Sequence, residues 1–276
     1  MKKHRSTILL AVVFVTGLSL LLYPTVSNYW NSFHQTRAIE SYSEAVSTLD
    51  AAECERLLAA AEQYNAGLAA NEYGMVLPAD KETEYNAQLQ LPGQAGGVMC
   101  SIQIPKVRAN LAVYHGTDEG MLQRYVGHME ASSLPVGGES THCVLAGHRG
   151  LPSARLFTDI DQLVEGDIFV LRTLGRELTY QVDQILIVLP EEIETLKIIP
   201  GEDLCTLVTC TPYGVNSHRL LVRGHRVDNL ESLEVSSEAA QVNTNLVAVA
   251  IAAPVLLAGM LFVLLHRPRP KKRGKG

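Results

Sequence analysis

Residues Thr206–Gly214 read TLVTCTPYG, and Asn216–Gly224, one residue further on, read NSHRLLVRG. From Leu204 the first segment alternates as a strand, and Cys210 closes it. Thr211-Pro-Tyr-Gly214 is a turn signal, and Leu220–Gly224 reads as the returning strand. The hairpin puts Cys210 at a strand end beside a turn, where a rigid scaffold can present a reactive group. Arg219 starts the returning strand, so its guanidinium is brought near the thiol. A fixed cation there stabilises thiolate or oxyanion charge. Arg223, farther along the same face, is the natural decoy and is expected to pair with an acid. On spacing alone, a structural strand cysteine is the commoner reading of Cys210.

The other cysteines are Cys54, Cys100, Cys143 and Cys205. No C-x-x-C occurs, so zinc-ribbon and thioredoxin readings fail on spacing. Cys54 falls on a helical stretch and the other three within strands, so all four are expected to be small buried apolar residues. A nucleophilic thiol needs a basic partner. Away from the chain ends the candidates are His115, His128, His142, His148, His218 and His225. His148 is the best placed, because Val144–Gly147 reads as a buried strand and His148-Arg-Gly150 as its exit. His115 and His128, each next to a glycine, read equally well as hydrogen-bonded structural histidines.

Upstream, short strands broken by Gly and Pro are expected at 98–104, 111–114, 143–147, 167–172 and 178–189, joining 204–210 and 220–223. Such regular short strands indicate a barrel or sandwich. Helical patches are expected at 119–125 and 154–163. Between Thr36 and Ala70, Ile39, Tyr42, Val46, Leu49, Leu57, Leu58, Ala61, Tyr64 and Leu68 recur at helical spacing. They form one or two amphipathic helices whose stripe is expected to pack on the following domain. Asn71–Gly97 is a long loop rich in Gly and Pro, and 231–244 is a polar linker.

Ile8–Tyr23 (ILLAVVFVTGLSLLLY) and Leu246–Leu265 (LVAVAIAAPVLLAGMLFVLL) carry no charge. Each approaches the ~20 residues that cross a bilayer, and Pro254 is tolerable in such a helix. Nine basic residues lie at the two tips, leaving 14 basic against 29 acidic residues between them. The positive-inside rule puts both termini in the cytoplasm and the acidic middle outside. A cleaved signal peptide is the other reading of the first segment; the absence of a clean small-x-small site favours an uncleaved anchor. So acidic a middle argues against nucleic-acid binding.

The hairpin quoted above resembles the active-site hairpin of sortases. Leu134-Pro-Val-Gly-Gly138 and Val144-Leu-Ala-Gly-His-Arg-Gly-Leu-Pro152 resemble the segment around the sortase histidine, and Tyr114-His-Gly-Thr117 adds to the likeness. Together with the second membrane segment, these features resemble the pilin-polymerising branch, class C. The resemblance implies a mostly β fold: a closed eight-stranded barrel with N-terminal amphipathic helices, flanked by two transmembrane helices. The chain would divide into a basic tip and anchor (1–34), helices and a lid-like loop (35–97), the catalytic barrel (98–230), a linker (231–245), a membrane helix (246–265) and a basic cytoplasmic tail (266–276).

By the same resemblance Cys210 matches the nucleophile, His148 the general acid/base and Arg219 the oxyanion-stabilising arginine. Thr209 would contribute to the substrate pocket. No cofactor or metal is implied, and no acidic cluster suggests calcium. The expected substrates are pilins or surface proteins with LPXTG-like sorting signals, and the expected acceptor is a pilin lysine amine. The setting would be the outer face of a Gram-positive membrane. A housekeeping-like or hydrolytic enzyme and a non-catalytic pilus-assembly scaffold are the alternatives. One feature departs from class C: no Asp-Pro-aromatic lid tripeptide occurs. The corresponding stretch, AQLQLPGQAGGV at 87–98, leaves either Leu89 or Leu91 as a plug or no lid control.

Overall fold

Eight strands close into a barrel in a computed structural model that describes residues 2–70, 76–91 and 97–229. They are β1 (Val98–Ile104), β2 (Ala109–His115), β3 (Val126–His128), β4 (Thr141–Ala146), β5 (Ile168–Thr173), β6 (Arg176–Val188), β7 (Asp203–Thr211) and β8 (His218–Val227). Around the barrel the order is β1-β2-β3-β4-β7-β8-β6-β5. The β2/β3 and β4/β7 pairs are parallel and the others antiparallel. The strand expected at 98–104 stands at those residues. β3 went unread because three residues, Val-Gly-His, are too few to show a period.

Alternation sorts the side chains into two faces. Cys143 and Leu145 of β4, Cys205 and Leu207 of β7, and Leu220 and Val222 of β8 fill the interior, with Phe169 stacked on Tyr180 at 5.6 Å. The opposite face of the same strands carries a smaller cluster of Val144, Val208, Leu221 and Leu196. The helical patch expected at 154–163 is not a helix. It is a run of turns ending in a 3-10 turn at Ile160–Gln162. Ala154, Leu156, Phe157, Ile160 and Leu163 all enter the interior, so their helix-like spacing reflects successive turns plugging the barrel.

Chain contacts divide the protein into two units, residues 27–235 and the remainder. In the larger unit, α1 (Lys2–Thr48) and α2 (Ala51–Ala70) meet at Asp50, whose carboxylate caps α2 by accepting from the Glu53 N–H at 2.7 Å. The short α3 (Glu82–Asn86) follows. The apolar stripe packs on the barrel as expected: Tyr42, Leu57, Ala61, Tyr64 and Leu68 join Tyr85, Met99, Ala112, Leu134 and Leu174. Three polar side chains bracket barrel backbone across this layer. Gln35 donates to the Arg124 carbonyl (2.5 Å) and accepts from Ala112 N–H (2.8 Å). Tyr42 does the same for Met99 and Leu174 (3.0 and 2.8 Å), and Asn65 uses both atoms on Leu134 (3.1 and 2.7 Å). Leu89 and Leu91 of the lid-like loop also pack in this layer.

In the smaller unit the described part is the start of α1, where Leu9, Leu10, Val12, Val13, Leu20 and Leu21 are exposed. Its most apolar 18-residue window has a mean hydropathy of 2.2, so by length and composition this helix can cross a membrane. The linker (231–245), the second membrane segment (246–265) and the basic tail lie outside the described residues, as do 71–75 and 92–96 of the lid-like loop.

Candidate active site

Strand register brings the three expected residues into one row. In the parallel β4/β7 pair Ala146 stands opposite Val208, and the Gly147 N–H continues the ladder to the Val208 carbonyl at 3.0 Å. Two residues on from that pair are His148 and Cys210. In the antiparallel β7/β8 pair Cys210 stands opposite Arg219. By alternation, Cys210 shares the outer face with Val208, and Arg219 shares it with Leu221. Adjacent strands lie ~4.8 Å apart, so thiol and guanidinium project side by side from neighbouring strands, and the chain carrying His148 leaves β4 beside them. The row sits above an apolar floor of Val208 and Leu221.

The turn that separates Cys210 from Arg219 closes through bonds from Val215 N–H and Asn216 N–H to the Pro212 carbonyl (3.1 and 3.0 Å). Its tight path puts Gly214 at φ 77° and Asn216 at φ 58°, two residue types that tolerate the left-handed region.

His148 is distinguished from the other candidate histidines by its hydrogen bonding. His128 is enclosed, with Nδ1 on the Tyr85 hydroxyl (2.9 Å) and Nε2 on the Ser133 carbonyl (2.8 Å). Burial lowers its pKa to about 4. His142 uses both nitrogens, on the Lys197 carbonyl (2.9 Å) and the Thr206 hydroxyl (2.7 Å). His115 uses Nε2 on the Gln88 carbonyl (2.7 Å), and burial lowers its pKa and that of His142. His218 pairs with Ser217, and His225 lies 3.9 Å from Asp183. The Nε2 of His148 is buried and has no hydrogen-bond partner among the described residues. This buried nitrogen at the strand end is therefore not spent on structure.

The cysteines sort in the same way. Cys100, Cys143 and Cys205 are buried, and burial pushes the Cys100 and Cys143 thiols well up. Cys54 is half-buried on α2. Cys210 is half-buried at its strand end. Arg223 holds Asp183 with two bonds (3.1 and 2.9 Å), the acid pairing expected of the decoy. Among the described residues Arg219 makes only long bonds, 3.4 and 3.3 Å, to the Asn216 and His218 carbonyls, which leaves its remaining donors for another acceptor. Thr209, expected to contribute to the substrate pocket, is buried at 2% exposure and donates to the Gly147 carbonyl at 2.7 Å, which ties β7 to the histidine strand.

The sequence reading missed a clamp around this row. Arg149, next to His148, pairs with Asp161, reaches the Thr211 hydroxyl at 3.4 Å and lies 6.0 Å from the centre of the Tyr213 ring. It thereby joins the histidine loop to the cysteine turn from both sides. Gly147 lets the Phe157 ring close on the backbone; a Cβ there would lie 2.7 Å from the ring. The Phe157 N–H then donates to the His148 carbonyl at 3.2 Å. Adjacency of Arg149 to His148 was the only signal for this in the sequence. Among the described residues no group of three or more His, Cys, Asp or Glu is placed to hold a metal.

A thiol flanked by an unspent imidazole and a fixed guanidinium can attack a carbonyl, hold the resulting oxyanion and protonate a leaving amine. Comparison with known proteins agrees. Residues 102–227 match the sortase domain family. Sortase C1 from Streptococcus agalactiae is 46% identical, with a TM-score of 0.67 over 70% of this chain and 100% of that one. Streptococcus pneumoniae sortase C, whose structure was described in relation to pilin substrate specificity, is 42% identical, with a TM-score of 0.64 over 71% of this chain and 100% of that one. Among curated proteins, sortase D of Bacillus subtilis is 31% identical over 138 residues, 49% of this chain and 65% of that protein. The chain spans less than two thirds of the length of the curated relatives it matches.

Proposed function

The chain belongs to the sortase family, a family of cysteine transpeptidases, and on that premise we propose that it is a class C enzyme that assembles covalent pili at the outer face of a membrane. The observation that carries the chemistry is the row His148–Cys210–Arg219 on adjacent strand ends. The Cys210 sulfur attacks the carbonyl of the Thr–Gly bond in an LPXTG-like signal. Arg219 holds the carbonyl oxygen as it gains charge. His148 gives a proton to the departing glycine amine, and the acyl group remains as a Cys210 thioester. A pilin lysine amine then attacks, His148 takes its proton, and Cys210 leaves as an isopeptide bond forms. The 46% and 42% identities to class C sortases support pilin lysine as acceptor over peptidoglycan. The apolar N-terminal segment supports membrane anchoring, and the basic tips support cytoplasmic termini with the barrel outside.

The test is acceptor choice. The enzyme is incubated with a sorting-signal peptide and three acceptors in competition: a pilin domain bearing lysines, an oligoglycine and water. A pilin adduct joined through a lysine Nζ, identified by mass spectrometry, is the expected product. Products with oligoglycine or water alone would turn the assignment toward a wall-anchoring or hydrolytic enzyme.

A further inference from the structure

From Ser27 onward, α1 carries two opposed faces. At 3.6 residues per turn, Asn28, Asn31, Gln35 and Tyr42 fall on one side and Tyr29, Trp30, Phe33 and Arg37 on the other. The first side is spent on the barrel unit: Asn31, Gln35 and Tyr42 are buried, and the Arg155 N–H donates to the Asn28 side chain at 3.0 Å. The second side is bare and aromatic. Tyr29 is 73%, Trp30 67% and Phe33 48% exposed, and the Arg37 guanidinium stacks over the Phe33 ring at 5.2 Å. Three bare aromatic residues within five positions of one helix are out of place in water.

We propose that the Tyr29 and Trp30 end of this face is seated in the phospholipid headgroup layer. The proposal rests on the reading of the preceding segment as a membrane anchor. Ile8–Val26 is uncharged and, as helix, about 28 Å long, close to the ~30 Å hydrocarbon thickness. Trp30 follows Val26 by only four residues, about 6 Å at helical rise, within the ~5–7 Å headgroup zone. Tyr and Trp prefer that depth, with an apolar ring body and a polar tip. A partner protein would need no such match between residue type and distance from the apolar segment.

Trp30 is the chain's one tryptophan, so its fluorescence reports this face alone. The full chain is reconstituted in phosphatidylcholine vesicles containing phosphatidylglycerol and floated on a density gradient. Trp30 is then exposed to aqueous iodide, and separately to lipids brominated near the headgroup end or near the methyl end of the acyl chain. The expected result is co-flotation, strong quenching by shallow bromines, weaker quenching by deep ones and little by iodide. A Trp30→Phe, Glu40→Trp variant, which moves the reporter about 15 Å along the helix, is expected to show the reverse: free quenching by iodide and none by bromine. Flotation with Trp30 as open to iodide as that variant would overturn the seat while leaving the anchor intact. Flotation with Trp30 shielded from both quenchers would also overturn it, since a second copy or the C-terminal segment must then cover the face. Failure to float would overturn the anchor, and the seat with it.

Discussion

Arg219 and Arg223 share a strand and a face, and the account gives them opposite jobs, so substituting each in turn separates catalysis from stability. Arg223 makes two bonds to Asp183, and the two side chains are 20% and 26% exposed. Breaking a fully buried pair costs about 3–5 kcal/mol and an exposed one less than about 1 kcal/mol. Arg223→Ala at this burial is therefore expected to cost about 2 kcal/mol, which lowers Tm by ~4–8 °C for a unit of this size. Its outward row, with Thr206 opposite, lies four residue pairs below Cys210, so acylation should be unchanged below the unfolding range. Arg219 has only its two long bonds to lose, so Arg219→Ala should shift stability by less than ~0.5 kcal/mol. Loss of its oxyanion contact should slow acylation by about 10²–10³. Arg219→Lys should recover little of this, because an ammonium is a compact charge without the two-donor fork. The assay is single-turnover acylation by a sorting-signal peptide, with thermal unfolding on the same samples. A crippled Arg223→Ala beside a near-normal Arg219→Ala would refute the reasoning and shift the hairpin register.

The protein should lose stability on acidification partly through His128, whose pKa is lowered from 6.5 to about 4 in the fold. The unfolded chain takes up that proton below pH 6.5 and the native state does not, so stability is complete above 6.5 and falls between 6.5 and 4, by up to about 3 kcal/mol. Urea midpoints at three pH values should show this, and His128→Gln should be less stable at pH 7 but flatter with pH; equal slopes would remove His128 as the cause. Gly147→Ala forces a methyl into the Phe157 ring and should cost about 1–3 kcal/mol. It should also slow acylation through the adjoining His148, and wild-type rates and Tm would show that the loop yields freely. Protease added to intact cells should digest or release the 35–238 region; protection of all of it would contradict the expected topology.

What was legible in the sequence follows the length of the signal. The hairpin could be read because two alternating runs flank a Pro-Tyr-Gly turn, and β1 because five of its seven residues are apolar. β3 offered three residues, one of them glycine, and no period to read. The turns at 154–163 imitated a helix because each successive turn drops an apolar side chain into the same interior. The site row needed register, which a sequence does not state. Six histidines were candidates, and only the hydrogen bonds of His115, His128, His142 and their neighbours show which nitrogens are occupied. The brackets made by Gln35 and Asn65 were hidden for the same reason: a polar residue in an amphipathic helix looks solvent-facing until its backbone partner across the layer is known.

The central claim is a covalent intermediate on Cys210. The full chain is incubated with a sorting-signal peptide, quenched in acid and weighed intact by mass spectrometry. The account predicts one added acyl mass on the peptide fragment containing Cys210, removed by hydroxylamine. The adduct should be absent from Cys210→Ala and retained when Cys54, Cys100, Cys143 and Cys205 are replaced by alanine one at a time. An adduct that persists in Cys210→Ala, or turnover without any thioester, would contradict it.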